Sequence, residues 1–525
     1  MKKYFFDESF IKCKENTELK FESITKANTS VFWHNAFSVP KNCTIPVWED
    51  LMTILYPFVL FDENGVSVDG KNKAKYKIWY FSKAAKYWVD RIIDKNNTNC
   101  INLGNFENTA KGVIRELDSA LCYIESNDGI NWTRPCCGEF FYKTEDGEII
   151  GTNIVFIGEH GMGVHKNLNE NEPPFLFACA MDGVGVNYSE DGINWNTPTR
   201  VLSRLDNDFT RLPGDTHNQI FWSPELSRYV IITRAFIGEI RQVIALKSTN
   251  IVKSIRDIQN LETQGAELKG VSNCFTKPKL VLEGKLELQP YSMPIARLAD
   301  NCYIGVVSIA NFDKNDKDNM KVYASLAYSN NGFDWEYLCD GVPFIDNDKD
   351  FILEQGNDYG MIFCAAPVLV GDEMKIFYSA TPELHYFSYD QIPENIKRVV
   401  DEKIPKAKEA QAITRTTALN VATFKKDRFA GCFAKKGTVT TKPFKFESES
   451  IFINTVVNRC GNVSVAILDE NGNILEGFTH EDFNGVKKDT LNGELRWKKP
   501  LNDLKGKNIS LEIKLKNATV YAIEF

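Results

Sequence analysis

The sequence of 525 residues lacks three features that would point to a membrane, a secretory or a nucleic-acid-binding protein. No run approaches the roughly 18 apolar residues of a membrane-spanning helix. The apolar residues 4–6 are followed at once by Asp7, which leaves no signal-peptide core of the ~7–15 residues required. There is no basic block, and 62 Lys and Arg against 70 Asp and Glu give a net charge of −8. We therefore expect a cytoplasmic protein with neither nucleic acid nor membrane as its partner.

Cysteine and histidine are also uninformative as metal or disulfide signals. The 13 cysteines are odd in number, form no Cys-x-x-Cys motif and lie mostly in apolar runs, as Cys122 and Cys364 do. This pattern favours free buried thiols over disulfides or a zinc site. Asp215 and His217 are the nearest approach to a ligand pair, and two candidate ligands do not specify a metal. No cofactor is predicted, and a divalent ion at these residues is left open.

Aromatic residues, by contrast, are abundant, with 9 Trp, 19 Tyr and 35 Phe. Some belong to a repeat, Ser-x-(Asp/Asn)-Gly-x-(Asn/Asp)-Trp, at residues 126–132, 189–195 and 329–335. Each copy follows a strand-like run, and its Asp-Gly or Asn-Gly pair supplies the positive φ angles of a tight turn. The second and third copies are 140 residues apart, about twice the 63 that separate the first two. We therefore expect one degenerate copy between them, at residues 248–250.

A repeat of this length with several strands per copy predicts a β-propeller. Strand-like runs predict five blades, the second opening at residues 152–156 and the fifth ending at residues 429–431. After residue 433, alternating apolar residues predict a β-sandwich. The predicted fold class is thus all-β, a five-bladed β-propeller followed by a β-sandwich. The predicted segments are a β segment packing on either module at residues 1–39, the propeller at 40–433 with a helical insertion at about 391–412, and the sandwich at 434–525.

Several short strings accompany the repeats: residues 6–11 (Phe-Asp-Glu-Ser-Phe-Ile), 46–49 (Pro-Val-Trp-Glu), 76–80 (Tyr-Lys-Ile-Trp-Tyr), 214–218 (Gly-Asp-Thr-His-Asn) and 425–429 (Lys-Lys-Asp-Arg-Phe). In these strings and in its architecture, the chain resembles a group of bacterial glycosyl hydrolases. These are similar to the five-bladed propeller glycosidases of the invertase/levansucrase and arabinanase/β-xylosidase group. The resemblance covers nearly the whole chain and implies a glycosidase without implying a substrate. The invertase string Trp-Met-Asn-Asp-Pro-Asn-Gly is absent, so a fructosidase is not supported.

Cleavage of a glycosidic bond needs a proton donor and a carboxylate that acts as base or nucleophile. Loops that enter the innermost strand of each blade line the funnel on a propeller axis, so carboxylates just before those strands are the catalytic candidates: Glu49, Asp215 and Asp358. Aromatic and polar residues in similar positions are the substrate-binding candidates: Trp48, His34, Asn153, His160, His217, Tyr291, Glu354 and Tyr359. Asp215 follows Pro-Gly, so a simple turn role stays open for it. Asp128, Asp191 and Asp334 recur in the repeated turn and are expected to serve the blade.

The predicted function is hydrolysis of an oligosaccharide or small glycoside, with the sandwich as an accessory module. The sequence does not say which carboxylate is acid or base, nor what the oligomeric state is. The alternatives are a non-catalytic carbohydrate-binding propeller, a sialidase and a sugar lyase on the same fold. A sialidase needs three arginines on the substrate carboxylate and a Tyr nucleophile. The sequence contains Arg115, Arg211, Arg234, Arg241 and Arg297 but does not group them.

Overall fold

The computed structural model describes residues 1–33, 53–83, 92–95, 119–203, 213–263, 274–312, 320–352, 356–385, 390, 394, 397–398, 401 and 417–525. The prediction of an all-β chain is confirmed. Within these residues, 33 strands, numbered β1–β33 along the chain, form six sheets. Besides short 3-10 turns and isolated helical residues after 389, they contain one helix, α1 (Ile251–Thr263). None of the described helices has the length and hydropathy to cross a membrane.

Three sheets each contain four antiparallel strands. The first is built from β5 (Leu55–Phe61), β6 (Tyr76–Lys83), β8 (Ser119–Ser126) and β11 (Ile154–Ile157). The second is built from β12 (His160–Lys166), β13 (Phe175–Ala180), β14 (Gly183–Ser189) and β15 (Thr199–Ser203). The third is built from β16 (Gln219–Ser223), β17 (Arg228–Ile237), β18 (Ile240–Ser248) and β19 (Lys279–Leu282).

A ten-stranded sheet contains two further antiparallel units, joined by one parallel bridge between Val322 and Met361. The fourth unit is built from β20 (Leu288–Ser292), β21 (Ile295–Ala299), β22 (Cys302–Phe312), β23 (Met320–Ser329) and β24 (Glu336–Tyr337). The fifth is built from β25 (Met361–Cys364), β26 (Val368–Val370), β27 (Glu373–Thr381), β28 (Thr417–Lys425) and the N-terminal strand β4 (Thr25–Trp33). The number of these units equals the predicted number of blades, and their arrangement as a five-bladed propeller stays a prediction.

Two of the predicted blade boundaries are wrong. The run that was expected to open the second blade is β11, which pairs with β8 and forms the outer strand of the first sheet. The second unit begins instead with β12. The run at residues 429–431 does not close the fifth unit, because it begins β29 (Ala430–Thr441), which pairs with a C-terminal strand. A short apolar run has the same sequence pattern whether it forms an inner strand, an outer strand or a strand of another sheet. Only the strand with which it pairs distinguishes these cases.

The C-terminal region forms one continuous hydrogen-bonded sheet of eight strands. It contains β29 together with β1 (Lys2–Tyr4), β2 (Ile11–Glu15), β3 (Glu18–Phe21), β30 (Phe444–Lys445), β31 (Phe452–Leu468), β32 (Thr490–Glu494) and β33 (Asn508–Glu524). The strands β31 and β33 are 17 residues long and enclose a separate apolar core. The first strands of the chain therefore complete a sheet made mostly from its end. A further small sheet contains β7 (Ile92–Asp94), β9 (Phe140–Lys143) and β10 (Ile149–Gly151).

The repeated turn is held by its own side chains. In the first copy, Ser126 Oγ accepts a hydrogen bond from the Gly129 amide at 2.9 Å. Asp128 Oδ1 accepts the next two backbone amides at 2.8 Å each, and the other two copies repeat this pattern. The Asp128, Asp191 and Asn331 side chains are therefore occupied within turns that follow β8, β14 and β23, whereas Asp334 accepts hydrogen bonds from Lys279 and Asn331. In the third unit the degenerate copy has become the start of α1, where Asn250 Oδ1 caps the amide of Lys253 at 2.6 Å.

Candidate active site

Each of the five units contributes one ring to a single group of packed rings, which come from β5, β12, β20 and β25 and from the residues just before β16. The Tyr56 ring of β5 stacks on His217, just before β16, with centroids 5.1 Å apart. The same ring packs edge-on against Phe363 of β25 at 5.1 Å and His160 of β12 at 6.5 Å. Tyr291 of β20 packs on Phe363 at 5.3 Å. We call these five residues the axial cluster.

Asp215 lies beside this cluster and faces solvent. Its Oδ1 atom is 3.1 Å from His160 Nε2, and its Oδ2 atom accepts a hydrogen bond from Arg234 Nη2 at 2.9 Å. The Asp215 side chain keeps 62% of its area exposed, whereas that of Arg234 keeps 4%. The carboxylate is therefore the accessible end of a network whose other members are largely enclosed by protein.

The surroundings of Asp215 keep it ionised. The loss of water on the protein-facing side would by itself raise the pKa of this carboxyl, but the hydrogen bond from His160 and the charge of Arg234 outweigh that effect and hold the pKa well below its usual range. Asp215 can accept a proton or a hydrogen bond, and it can stabilise positive charge. It cannot act as a proton donor near neutral pH, because its protonated form is hardly populated there.

Arg234 is fixed by Tyr291 as well as by Asp215. The guanidinium carbon of Arg234 lies 4.6 Å from the centre of the Tyr291 ring. The Tyr291 hydroxyl is 3.0 Å from His385 Nε2, and the Tyr291 carbonyl accepts the Thr216 hydroxyl. The sequence analysis named Arg234 only among the five arginines considered for a sialidase, and it did not include His385 in the site. A single arginine inside the apolar run of β17 was the signal that could have identified Arg234.

His217 is buried and neutral. Burial, with a smaller contribution from His165, lowers the pKa of His217 to about 3. Among the described residues, neither ring nitrogen of His217 has a hydrogen-bond partner. Two glycines allow β12 to approach this segment, since a Cβ atom on Gly163 would lie 1.7 Å from the Asn218 carbonyl oxygen and Gly161 has a φ of +62°.

Asp358, the second described catalytic candidate, belongs to a different cluster. Its side chain is fully buried, and its carboxylate accepts hydrogen bonds from Lys26 Nζ at 2.9 Å, the Tyr378 hydroxyl at 3.0 Å and the Asp348 amide at 2.7 Å. Burial raises the pKa of Asp358, although Lys26 opposes this effect. The neighbouring Tyr359 ring lies under Lys321 Nζ, 3.3 Å from it. These contacts support a structural role for Asp358 rather than the predicted catalytic one.

The remaining candidates are divided between the described residues and the rest of the chain. Asn153 is buried in the first sheet, where Nδ2 donates to the Tyr123 carbonyl at 2.7 Å and the Tyr80 hydroxyl at 3.2 Å. Asn153 is buried there because it directly precedes β11, which pairs with β8 of the first sheet. The candidates Glu49, Trp48, His34 and Glu354, with most of the predicted insertion at 391–412, lie outside the described residues. Within the described ranges, no group of three or more His, Cys, Asp or Glu is arranged to hold a metal.

The arginines considered for a sialidase are only partly brought together. Arg241 lies 5.4 Å from the Tyr291 ring centre, so it shares this ring with Arg234. Arg297 is held elsewhere, by Glu225 Oε1 at 2.7 Å and Asp300. Arg115 and Arg211 lie outside the described residues.

No family model matches the sequence, and no curated protein sequence matches it. Among solved structures, the chain is similar to an N-acetylgalactosamine deacetylase from F. plautii in complex with blood group B trisaccharide, at 13% identity and a TM-score of 0.42 over 78% of this chain and 97% of that one. It is also similar to an α-L-arabinofuranosidase from Podospora anserina in complex with cellotriose, at 9% identity and a TM-score of 0.39 over 77% and 96%. A third similar structure is a β-1,2-mannobiose phosphorylase from Listeria innocua, at 12% identity and a TM-score of 0.36 over 73% of this chain and 92% of that one. These values are too low to argue for an activity.

Proposed function

We propose that the chain is a glycoside hydrolase in which Asp215 is the ionised carboxylate of the active site. The observation that carries the proposal is the exposed carboxylate itself, held between His160 and Arg234 beside a cluster to which all five units contribute a ring. Glycosidic cleavage passes through a transition state with positive charge on the sugar ring. A carboxylate fixed in one position stabilises that charge without having to reorganise.

The low pKa of Asp215 restricts its role to base, nucleophile or charge-stabilising group, so a different residue must donate the proton. Glu49, predicted just before the first blade, is one candidate. Glu383 is another, because this buried carboxyl lies two residues before the His385 that contacts Tyr291.

The proposal is tested by measuring hydrolysis of a panel of aryl glycosides and oligosaccharides by the parent protein and by Asp215→Asn. We expect the substitution to lower kcat by about 10²–10⁴-fold while the fold is retained. Asp334→Asn is a matched control, since Asp334 is also exposed and also paired with a cation, Lys279 at 2.7 Å, but lies in an outer turn. Full activity in Asp215→Asn would refute the assignment.

The same assays separate the alternatives. A sugar lyase would leave an unsaturated product that absorbs in the ultraviolet, whereas a hydrolase releases a reducing end without such absorption. A binding propeller without catalysis would give saturable heat in calorimetry and no product.

A further inference from the structure

A second arginine lies beside the Asp215 site on the same face of the β17–β18 pair. Arg241 is directly opposite Phe236 in the register of these strands, and Arg234 is two residues before Phe236. Directly opposed residues of an antiparallel pair, and residues two apart on one strand, point to the same face of the sheet. The side chains of Arg234, Phe236 and Arg241 therefore share one face.

The two guanidinium groups also share their aromatic neighbours. Their central carbons lie 4.6 Å and 5.4 Å from the Tyr291 ring centre, for Arg234 and Arg241 respectively. The corresponding distances to the Phe236 ring are 5.2 Å and 5.1 Å. Arg241 is therefore separated from the Asp215–Arg234 ion pair by no more than one aromatic ring, and we call this region the arginine pocket.

The charges of the arginine pocket are not balanced within the described part of the chain. Arg234 is neutralised by Asp215, but Arg241 keeps only 6% of its area exposed, and among the described residues its side chain donates to the neutral Gln289 Oε1 alone, at 3.1 Å from Nη1. No described carboxylate forms an ion pair with Arg241. The Nε atom of Arg241 and the Nη1 atom of Arg234 are both buried, and neither has a hydrogen-bond partner among the described residues. Burying a charge without a counter-ion is costly, and a protein retains such an arrangement most readily where a ligand supplies the missing charge.

We propose that the arginine pocket binds an anionic group carried by the sugar substrate, with Arg241 as its main ligand and Arg234 Nη1 as a second donor. The inference rests on the proposed function, because it names the substrate class of the same site. A guanidinium presents a planar set of N–H donors that matches the oxygens of a carboxylate, sulfate or phosphate. The Tyr291 and Phe236 rings hold both guanidiniums in place before the ligand arrives.

Calorimetry tests the proposal without requiring turnover. The probes are glucuronate and galacturonate, the 6-phosphates and 6-sulfates of glucose and galactose, and the two neutral hexoses. We expect at least one anionic class to bind about tenfold or more tightly than its neutral parent, and the comparison of uronates with phosphates and sulfates identifies the anion. Arg241→Gln should reduce the affinity for that class by about 10- to 100-fold and leave the neutral hexose unaffected, with partial recovery in Arg241→Lys.

Arg228→Gln is the matched control, because Arg228 is an exposed arginine on the same strand as Arg234, and the one side-chain contact it makes in the described part of the chain is with the Ser227 carbonyl. It should leave the affinity for the anionic probe unchanged. A parent protein that binds no anionic probe more tightly than its neutral hexose overturns the proposal, as does an Arg241→Gln variant that keeps the preference. In the ligand-free protein, Arg241→Met should raise Tm, because it removes a buried charge that lacks a counter-ion, and a fall in Tm would contradict the proposal.

Failure of this inference can be distinguished from failure of the proposed function. Hydrolysis that depends on Asp215 and acts on neutral glycosides, with no binding of anionic sugars, would retain the function and refute the arginine pocket. Tight binding of an anionic sugar that depends on Arg241, without release of product, would retain the pocket and refute the hydrolase.

Discussion

The Nη2 atom of Arg234 and the Oδ2 atom of Asp215 are 2.9 Å apart, and this pair joins a buried cation to a carboxylate that faces solvent. Such an arrangement fixes the position of the carboxylate without hiding it from a substrate. It also makes the protein depend on the negative charge, because Arg234 has no other anionic partner among the described residues. Both consequences can be measured.

Asp215→Asn should destabilise the protein at neutral pH and have less effect in acid. The pKa of Asp215 is depressed in the folded state, so the stabilisation is present above the unfolded pKa of 3.8 and is lost as the pH falls through the folded value. We expect a loss of about 1–2 kcal/mol in the free energy of unfolding between pH 5 and 8, less than for a fully buried pair because water reaches the carboxylate. Urea unfolding of both proteins from pH 3 to 8 measures this difference. A difference that does not shrink below pH 4 would contradict the prediction.

Asp358→Asn should affect stability and leave catalysis by the folded protein intact. The substitution removes the buried one of the two carboxylates that pair with Lys26, whose side chain is 28% exposed and keeps Asp348 as a partner, and it should cost about 1–3 kcal/mol. Asp348→Asn is the comparison, because Asp348 contacts the same Lys26 Nζ at 2.9 Å but is partly exposed, and its effect should be smaller. Unfolding free energies and kcat of the folded fraction are the measurements. A stable Asp358→Asn protein with a greatly reduced kcat would restore the catalytic role predicted from the sequence.

His217→Gln should make the protein less sensitive to mild acid. Burial lowers the pKa of His217 to about 3, whereas an unfolded histidine titrates near 6.5, so between these values the unfolded state binds the extra proton and stability falls as the pH drops. Removing this residue should reduce the slope of unfolding free energy against pH by up to about 1.4 kcal/mol per pH unit below pH 6. His165→Gln should act in the same direction down to about pH 4, the pKa to which burial lowers His165. Chemical unfolding at pH 4.5–7.5 gives the slopes, and equal slopes for the parent and His217→Gln would refute the prediction.

Local sequence patterns identified the parts of the site that lie where an inner strand begins. Asp215 and His217 occupy a polar entry to an apolar strand; His217 belongs to the axial cluster, and Asp215 lies beside it. The prediction that Asn153 precedes an inner strand was wrong, because the strand after it, β11, is the outer strand of the first sheet. The sequence of a short apolar run does not indicate which strand it pairs with. Asp358 has an equally polar sequence context, but its carboxylate is bonded by Lys26 Nζ. These two residues are 332 positions apart, so the sequence around Asp358 does not indicate this partner.

Residues that look like ordinary strand interior were the ones that sequence reasoning missed. Tyr56 and Phe363 are aromatic residues inside apolar strands, which is also how core residues appear. Their place in the axial cluster follows from contacts between strands of different units, which is a long-range property of the fold. The repeated turns, in contrast, were predictable, because their hydrogen bonds close within seven residues of sequence.

The turn at Gly192 connects two sheets, and replacing this glycine should cost more than replacing one with the same backbone conformation elsewhere. Gly192 has a φ of +79°, its carbonyl accepts the Trp79 Nε1 proton at 2.7 Å, and an added Cβ would lie 2.7 Å from Trp79 Cζ2. Gly138 has a φ of +76° and open space where a Cβ would stand. Gly138→Ala should therefore cost about 1 kcal/mol from backbone strain alone, and Gly192→Ala about 1–3 kcal/mol more from the clash. Urea unfolding of the two variants measures the difference. Equal costs would mean that Trp79 moves aside freely, and the second unit would then not depend on Trp79 of β6 for its contact with the first sheet.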